Sequence, residues 1–125
     1  LRFQNGAMVT RHRGTLYQTQ RFTVNGQEVL YIVTFVLPRF MNRELEDRLV
    51  TIFHELYHIS PQFDGDLRRH AGRYCAHTRS KKGYDAQMTK LVRDYLANGA
   101  DAERHAFLKL SFAQLCQRHA LRTLR

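Results

Sequence analysis

The chain has 125 residues and a formal net charge of +9. Hydrophobic residues make up 43% and charged residues 25%, a composition that excludes intrinsic disorder. The length predicts one domain over residues 1–125, with its core at about residues 20–120. Its two cysteines, Cys75 and Cys116, exclude both a disulfide framework and a zinc ribbon built from paired Cys-x-x-Cys knuckles, and free thiols are typical of the cytoplasm. No apolar run is long enough to span a bilayer, so we expect a cytoplasmic protein with no membrane partner.

A β-hairpin is predicted in the first third of the chain. Residues 21–24 and 28–37 are rich in β-branched and aromatic side chains, and Asn25-Gly26 lies between them. Both central residues of a type I′ turn need a positive φ, which Asn and Gly adopt most readily. The second run is almost continuously apolar and predicts a central strand buried on both faces, ended by Pro38. Residues 7–13 predict a further, weaker strand.

A helix over residues 43–60 follows, with Asn42 as its N-cap. Its apolar residues share one stripe at helical spacing: Leu45, Leu49, Ile52, Phe53, Leu56 and Ile59. Ser60-Pro61 ends this helix, because the residue before a proline is driven out of the α region. Residues 61–83 predict an irregular loop, and a loop of that length in a compact domain is usually functional.

Two more helices are predicted after the loop. The second helix has apolar residues at helical spacing: Tyr84, Met88, Leu91, Val92, Tyr95 and Leu96. Asn98-Gly99 ends it. Residues 107–110 predict a short strand, and the capping-box pattern from Ser111 to Gln114 opens a last helix that runs to about His119. The predicted fold class is therefore α+β, with a short antiparallel sheet packed on the first helix and further helices around it.

Within the first helix, residues 54–58 spell His-Glu-Leu-Tyr-His, the HExxH pattern. Residues i and i+4 of a helix lie on one face about 6 Å apart at Cβ, so His54 and His58 can reach one zinc ion. Glu55 between them can act as general base on an attacking water. Both histidines fall about 160–200° from the middle of the apolar stripe. Structural histidines usually lie on or beside the core face, so we interpret these two as metal ligands.

A catalytic zinc takes three protein ligands and leaves one position for water. The loop offers four candidates for the third ligand: His70, His77, Asp64 and Asp66. Glu103 lies beyond the second helix, which argues against a downstream glutamate ligand. The metzincin pattern also fails, because the sixth residue after His58 is an aspartate.

Other polar residues of this region have alternative interpretations. Asp64 and Asp66 either orient ligand histidines through hydrogen bonds or cap turns and pair with the neighbouring arginines. Tyr57 and Tyr84 could stabilise an oxyanion, but we expect them to pack in the core with an exposed hydroxyl. For Cys75 we expect a buried filler role and not a metal ligand.

Four stretches carry a family resemblance: residues 54–61 (His-Glu-Leu-Tyr-His-Ile-Ser-Pro), residues 63–70 (Phe-Asp-Gly-Asp-Leu-Arg-Arg-His), Ala76-His77 and Tyr84-Asp85. They resemble a group of phage and bacterial HExxH metallopeptidase domains. This group is distantly similar to the SprT-like zinc metalloproteases, to which the DNA–protein crosslink protease Spartan belongs. The resemblance covers about residues 28–98 and is sharpest over residues 50–85.

The resemblance implies a minimal zincin-like fold in which a strand pair precedes the HExxH helix. It also implies a third histidine after a variable loop, just ahead of another amphipathic helix. His77 fits this layout best, and His70, which follows a Gly-x-Leu-Arg run, is the alternative. The chain departs from SprT-like proteins in lacking their zinc ribbon and in carrying Thr78 where they usually have a glycine.

These observations together predict a zinc-dependent metalloprotease that cleaves a protein or peptide substrate. His54, His58 and His77, or His70 in its place, are expected to bind the zinc. Glu55 is expected to take a proton from the attacking water and deliver it to the leaving amine. A proteolytic toxin with one narrow substrate would use the same chemistry.

The alternative is a basic module associated with nucleic acid, in which the zinc is structural or the site is catalytically silent. The net charge of +9, the Lys81-Lys82 pair and the tail from Arg118 onward favour it, because excess positive charge attracts polyanions. An ordinary solvated basic surface explains the same charge without any nucleic-acid partner.

Overall fold

The computed structural model of the protein describes residues 2–69 and 81–119. Short antiparallel strands come first in the chain and helices follow, which confirms the α+β class. The chain divides into two compact units. The first draws on Leu1–Val33 and His54–Tyr84, and the second on Thr34–Phe53 and Asp85–Arg125.

The first unit contains five short strands. Strands β1 (Arg2–Gln4), β2 (Ala7–His12) and β3 (Thr15–Gln18) form an antiparallel sheet in that order. Strands β4 (Phe22–Val24) and β5 (Gln27–Val29) form a separate antiparallel pair. The strand predicted at residues 7–13 is thus confirmed as β2.

Each hairpin of this unit closes through a two-residue turn in which both residues have positive φ. The three turns are Asn5-Gly6 (φ 51° and 75°), Arg13-Gly14 (48° and 82°) and Asn25-Gly26 (51° and 77°). Positive φ at both positions is the requirement of a type I′ turn, whose twist matches that of the flanking strands. The hairpin predicted from Asn25-Gly26 is therefore confirmed.

The apolar run after this hairpin does not form the predicted buried central strand. Strand β5 ends at Val29, and residues 30–36 belong to no helix or strand. Ile32 is 64% exposed and Val36 is 68% exposed. The prediction was wrong because β4 offers only three residues for pairing, and no other described strand pairs with β5. Pro38 lies in the first turn of a helix, where its missing N–H leaves no hydrogen bond unmade.

Four α-helices complete the described chain. They are α1 (Leu37–Met41), α2 (Leu45–Tyr57), α3 (Lys81–Ala97) and α4 (Phe112–Arg118). Asn42 ends α1 instead of capping α2, since its backbone N–H donates to the carbonyl of Phe40. Across residues 2–69 and 81–119, no helix is both long enough and apolar enough to cross a membrane.

Two of the three predictions near the C-terminus are confirmed. Helix α3 ends just before Asn98-Gly99, where Gly99 has φ 80°. Ser111 caps α4 through a capping box: its Oγ accepts from Gln114 N at 3.2 Å, and its own N–H donates to Gln114 Oε1 at 2.8 Å. The predicted strand at residues 107–110 is wrong, because Ala106–Lys109 is a 3-10 helix.

The core of the second unit is formed by six buried apolar side chains: Phe40, Met41, Leu49, Val92, Leu108 and Leu115. The predicted stripe of α2 reaches this core through Leu49, which is only 3% exposed, whereas Leu56 is 49% exposed and lies outside it. The stripe prediction is therefore correct for Leu49 and for the residues that pack against the core, Leu45, Ile52 and Phe53, and wrong for Leu56.

Arg48 is buried beside this core, with 7% of its surface exposed. Its Nη1 donates to the carbonyls of Leu108 and Leu110, and its Nε donates to the carbonyl of Arg43 at 2.7 Å. The bond to Leu108 is buried and the other two are partly buried, and a buried carbonyl that is left without a donor costs about 1–3 kcal/mol.

We expect Arg48→Met to lower the free energy of unfolding by about 3 kcal/mol, because methionine fills the space but donates no hydrogen bond. Urea denaturation followed by circular dichroism measures the loss. The matched control is Arg39→Met, which removes an exposed arginine of α1 and should change stability by no more than about 0.5 kcal/mol. Equal losses in the two variants would contradict this role for Arg48.

Candidate functional site

The first four HExxH residues form the C-terminal end of α2, which ends at Tyr57 instead of the predicted residue 60, and His58 directly follows it. The ring centroids of His54 and His58 are 4.9 Å apart, and the two ring planes cross at 76°. Both side chains are half-buried, as is Glu55. The last turn tightens at this point, since the N–H of His58 donates to the carbonyl of Glu55 at 3.2 Å. The structure thus brings the two imidazoles together.

Tyr84, near the start of α3, packs against both imidazoles. Its ring lies 4.9 Å from that of His54 at 77°, and 6.4 Å from that of His58 at 21°. Tyr84 is 2% exposed, and its hydroxyl oxygen is buried as well. The prediction of core packing is confirmed, but the expected exposure of the hydroxyl is wrong. A buried ring in contact with both histidines restricts the rotamers that they can adopt.

Arg68 donates hydrogen bonds to the backbone carbonyls at the end of α2. Its backbone N–H donates to the carbonyl of His58 at 2.7 Å, and its Nε donates to the carbonyl of Tyr57 at 2.8 Å. The guanidinium carbon lies 4.1 Å from the centre of the Tyr57 ring. The last carbonyls of a helix have no donors within the helix, and a cation is favoured there by the helix dipole. Arg68 therefore fixes the backbone that carries His58.

The loop after the helix is fastened by Tyr31. Its hydroxyl donates to the carbonyl of Asp66 at 2.8 Å and accepts from the N–H of Gly65 at 2.9 Å. Its ring packs against Phe63 with 5.0 Å between centroids. Gly65 has φ 92°, a left-handed conformation that glycine adopts without strain, so glycine suits this position. The sequence interpretation missed Tyr31 because it assigned this residue to a buried strand.

The two loop aspartates organise the loop backbone. Asp64 Oδ1 accepts from the N–H of Asp66 at 3.1 Å, and Asp66 Oδ1 accepts from the N–H of Leu67 at 2.7 Å. Asp66 also pairs with Arg69 at 2.8 Å. Of the two interpretations of these acids, turn capping with an arginine partner is the one that the structure shows. The pairing falls to Arg69, while Arg68 bonds to backbone carbonyls.

His54 and His58 supply two donors of a type that zinc favours, since neutral imidazole is a common ligand for this metal. Their ring centroids lie 4.9 Å apart, and a catalytic zinc needs a third protein ligand beside them. Within residues 2–69 and 81–119, no group of three or more His, Cys, Asp or Glu side chains could hold a metal. The third-ligand predictions, His77 and its alternative His70, lie outside the described residues, as does Cys75.

The basic clusters predicted from the sequence are described only in part. Lys82 is exposed in the first turn of α3, and Arg118 is exposed at the end of α4. The basic tail from residue 120 onward lies outside the described residues. Cys116 is a free, exposed thiol.

Comparison of the chain with protein-family models, with curated proteins and with solved structures gives no match in any of the three.

We expect Arg68→Met to lower the free energy of unfolding by about 1–2 kcal/mol, because the carbonyl of Tyr57 loses its donor and the Tyr57 ring loses its contact to the guanidinium, while the backbone bond to His58 is kept. It should also speed hydrogen exchange at the amide of His58. Arg69→Met is the matched control, since an exposed ion pair contributes at most about 1 kcal/mol and does not contact α2. Exchange at His58 that is unchanged in Arg68→Met would contradict the proposed anchoring.

Proposed function

We propose that this protein is a zinc-dependent metalloprotease of the HExxH type that cleaves peptide bonds in a protein or peptide substrate. The observation that carries the proposal is the pair of half-buried imidazoles, 4.9 Å apart, with a glutamate one residue after the first. The resemblance of residues 50–85 to phage and bacterial metallopeptidase domains, and more distantly to SprT-like proteases, supports the same conclusion.

Each site residue has a defined role in the proposed reaction. His54 and His58 hold the zinc, with His77 as third ligand and His70 as the alternative. When bound, zinc lowers the pKa of a water molecule to about 7 and polarises the scissile carbonyl. Glu55 accepts a proton as the water oxygen bonds to the carbonyl carbon. It then delivers that proton to the amine nitrogen as the C–N bond breaks, so no covalent enzyme intermediate is required.

The surroundings of the site support these roles. Tyr84 packs on both imidazoles, and Arg68 ties the carbonyls at the end of α2, so both ligands stand on restrained backbone and in restricted rotamers. A ligand set that is already positioned loses less conformational entropy when the metal binds. The exposed free thiol of Cys116 suits a reducing compartment, which supports a cytoplasmic location.

The test combines metal analysis with hydrolysis of an unfolded protein such as casein. We expect about one zinc per chain in native protein, and loss of zinc in His54→Ala and in His58→Ala. Glu55→Gln should keep its zinc and lose on the order of 10²–10⁴-fold in hydrolysis rate, because it cannot accept the proton. His12→Ala and His119→Ala, which alter exposed histidines of β2 and of the end of α4, should keep both metal and activity.

Two outcomes would overturn this proposal. Native protein that holds no zinc would exclude the metal site, and a fully active Glu55→Gln would exclude the mechanism. Stoichiometric zinc without hydrolysis of any protein tested would instead favour a structural or catalytically silent site. Variants His70→Ala and His77→Ala, compared for zinc content, distinguish the two candidates for the third ligand.

A further inference from the structure

The outer half of the β2–β3 hairpin has no protein covering it among the described residues. Ala7 and Val9 of β2 are each 7% exposed, but every residue from 10 to 18 is exposed. Side chains alternate between the two faces of a strand, so an unbroken run of exposed residues leaves both faces of the ribbon open to solvent. The register Thr10↔Tyr17, Arg11↔Leu16, His12↔Thr15 extends this open ribbon to the turn.

The open ribbon lies in a segment that carries only positive formal charge. Residues 1–27 contain four arginines and no aspartate or glutamate. Arg21 is paired with Glu28, at 3.6 Å, whereas Arg11 and Arg13 make no ion pair with any described residue. Arg11 Nη1 donates to the carbonyl of Gly14 at 3.0 Å, which holds its guanidinium at the turn. Two unneutralised guanidinium groups thus stand at the end of the hairpin.

The turn itself carries an unfavourable residue. In two of the three positive-φ turns the first central residue is asparagine, Asn5 and Asn25, and in the third it is Arg13 at φ 48°. Left-handed backbone is costly for a residue with a long side chain, and asparagine tolerates it because its short amide bonds locally. A residue held in a sparsely populated conformation, where the same chain uses a better one twice, indicates a role other than stability.

We propose that the outer half of this hairpin, residues 10–18, is an arm that binds double-stranded DNA. Arginine forks match the geometry of phosphate oxygens, and Thr10, Thr15 and Gln18 supply neutral donors of the kind that bind phosphates and base edges. A two-stranded ribbon open on both faces fits the major groove of B-form DNA, which is about 12 Å wide.

Other polyanionic partners fit the arm less well. The major groove of an RNA duplex is too narrow to admit side chains. An anionic membrane surface requires a broad apolar face, and the arm offers only Leu16 and Tyr17. These two residues are adjacent in β3 and therefore lie on opposite faces of the ribbon. This binding activity does not depend on the proposed protease site, because it uses no residue of α2 or of the loop that follows.

The test is fluorescence anisotropy of a labelled DNA duplex of about 20 base pairs, titrated with the whole protein over a range of salt concentrations. We expect Arg13→Asn to weaken binding on the order of five-fold and to reduce the slope of log Kd against log salt by about 1, because one phosphate contact is lost. The same substitution should leave the Tm equal to or above that of the wild type, since asparagine is the residue of the other two turns. Lost affinity with unreduced stability cannot arise from misfolding.

Arg39→Gln is the matched control, because it removes one exposed positive charge from α1, outside the arm. Arg11→Gln combined with Arg13→Asn should reduce the salt slope by about 2. The proposal is overturned if the wild type does not bind the duplex, or if Arg13→Asn and Arg39→Gln weaken binding equally. It is also overturned if an RNA duplex, or vesicles rich in phosphatidylserine, bind as tightly as DNA with the same dependence on Arg13.

Discussion

Backbone carbonyls at the ends of short elements need hydrogen-bond donors, and arginine side chains supply them in both units of this protein. The strands have three to six residues and α4 has seven, so many carbonyls fall outside any helix or sheet ladder. In the second unit the buried Arg48 donates to three such carbonyls. In the first unit Arg68 donates to the carbonyl at the end of α2. The guanidinium group suits this task because it presents several donors in a rigid plane.

The basic composition of the chain therefore has more than one physical origin. Arg48 and Arg68 act as internal donors, and their charge is used within each unit. Arg11 and Arg13 stand on a ribbon that is exposed on both faces and carry charge that no described acid neutralises. Arg13 also lies in left-handed backbone, at φ 48°. The position of each arginine, and not the number of basic residues, separates the internal hydrogen-bond donors from the exposed arginines of the ribbon.

Features set by neighbours in the chain could be predicted from the sequence. The Asn25-Gly26 hairpin, the capping box at Ser111 and the end of α3 all depend on residues within a few positions of one another. The adjacency of His54 and His58 belongs to the same class, because i and i+4 on a helix share a face whatever surrounds it. The α+β class follows from the same local periodicities taken in chain order.

By itself, then, the sequence determined the Asn25-Gly26 turn, the approximate positions of α2, α3 and α4, and the pairing of two histidines, since each follows from local spacing. It did not predict α1. Only the tertiary structure decided which segments pair as strands and which side chains are buried. The apolar residues 30–36 remain outside any strand because β4 is too short to pair with them, and Tyr31 within that run instead fastens the loop backbone through its hydroxyl. The burial of Arg48 and Tyr84 likewise depends on contacts between distant parts of the chain, which no local pattern encodes.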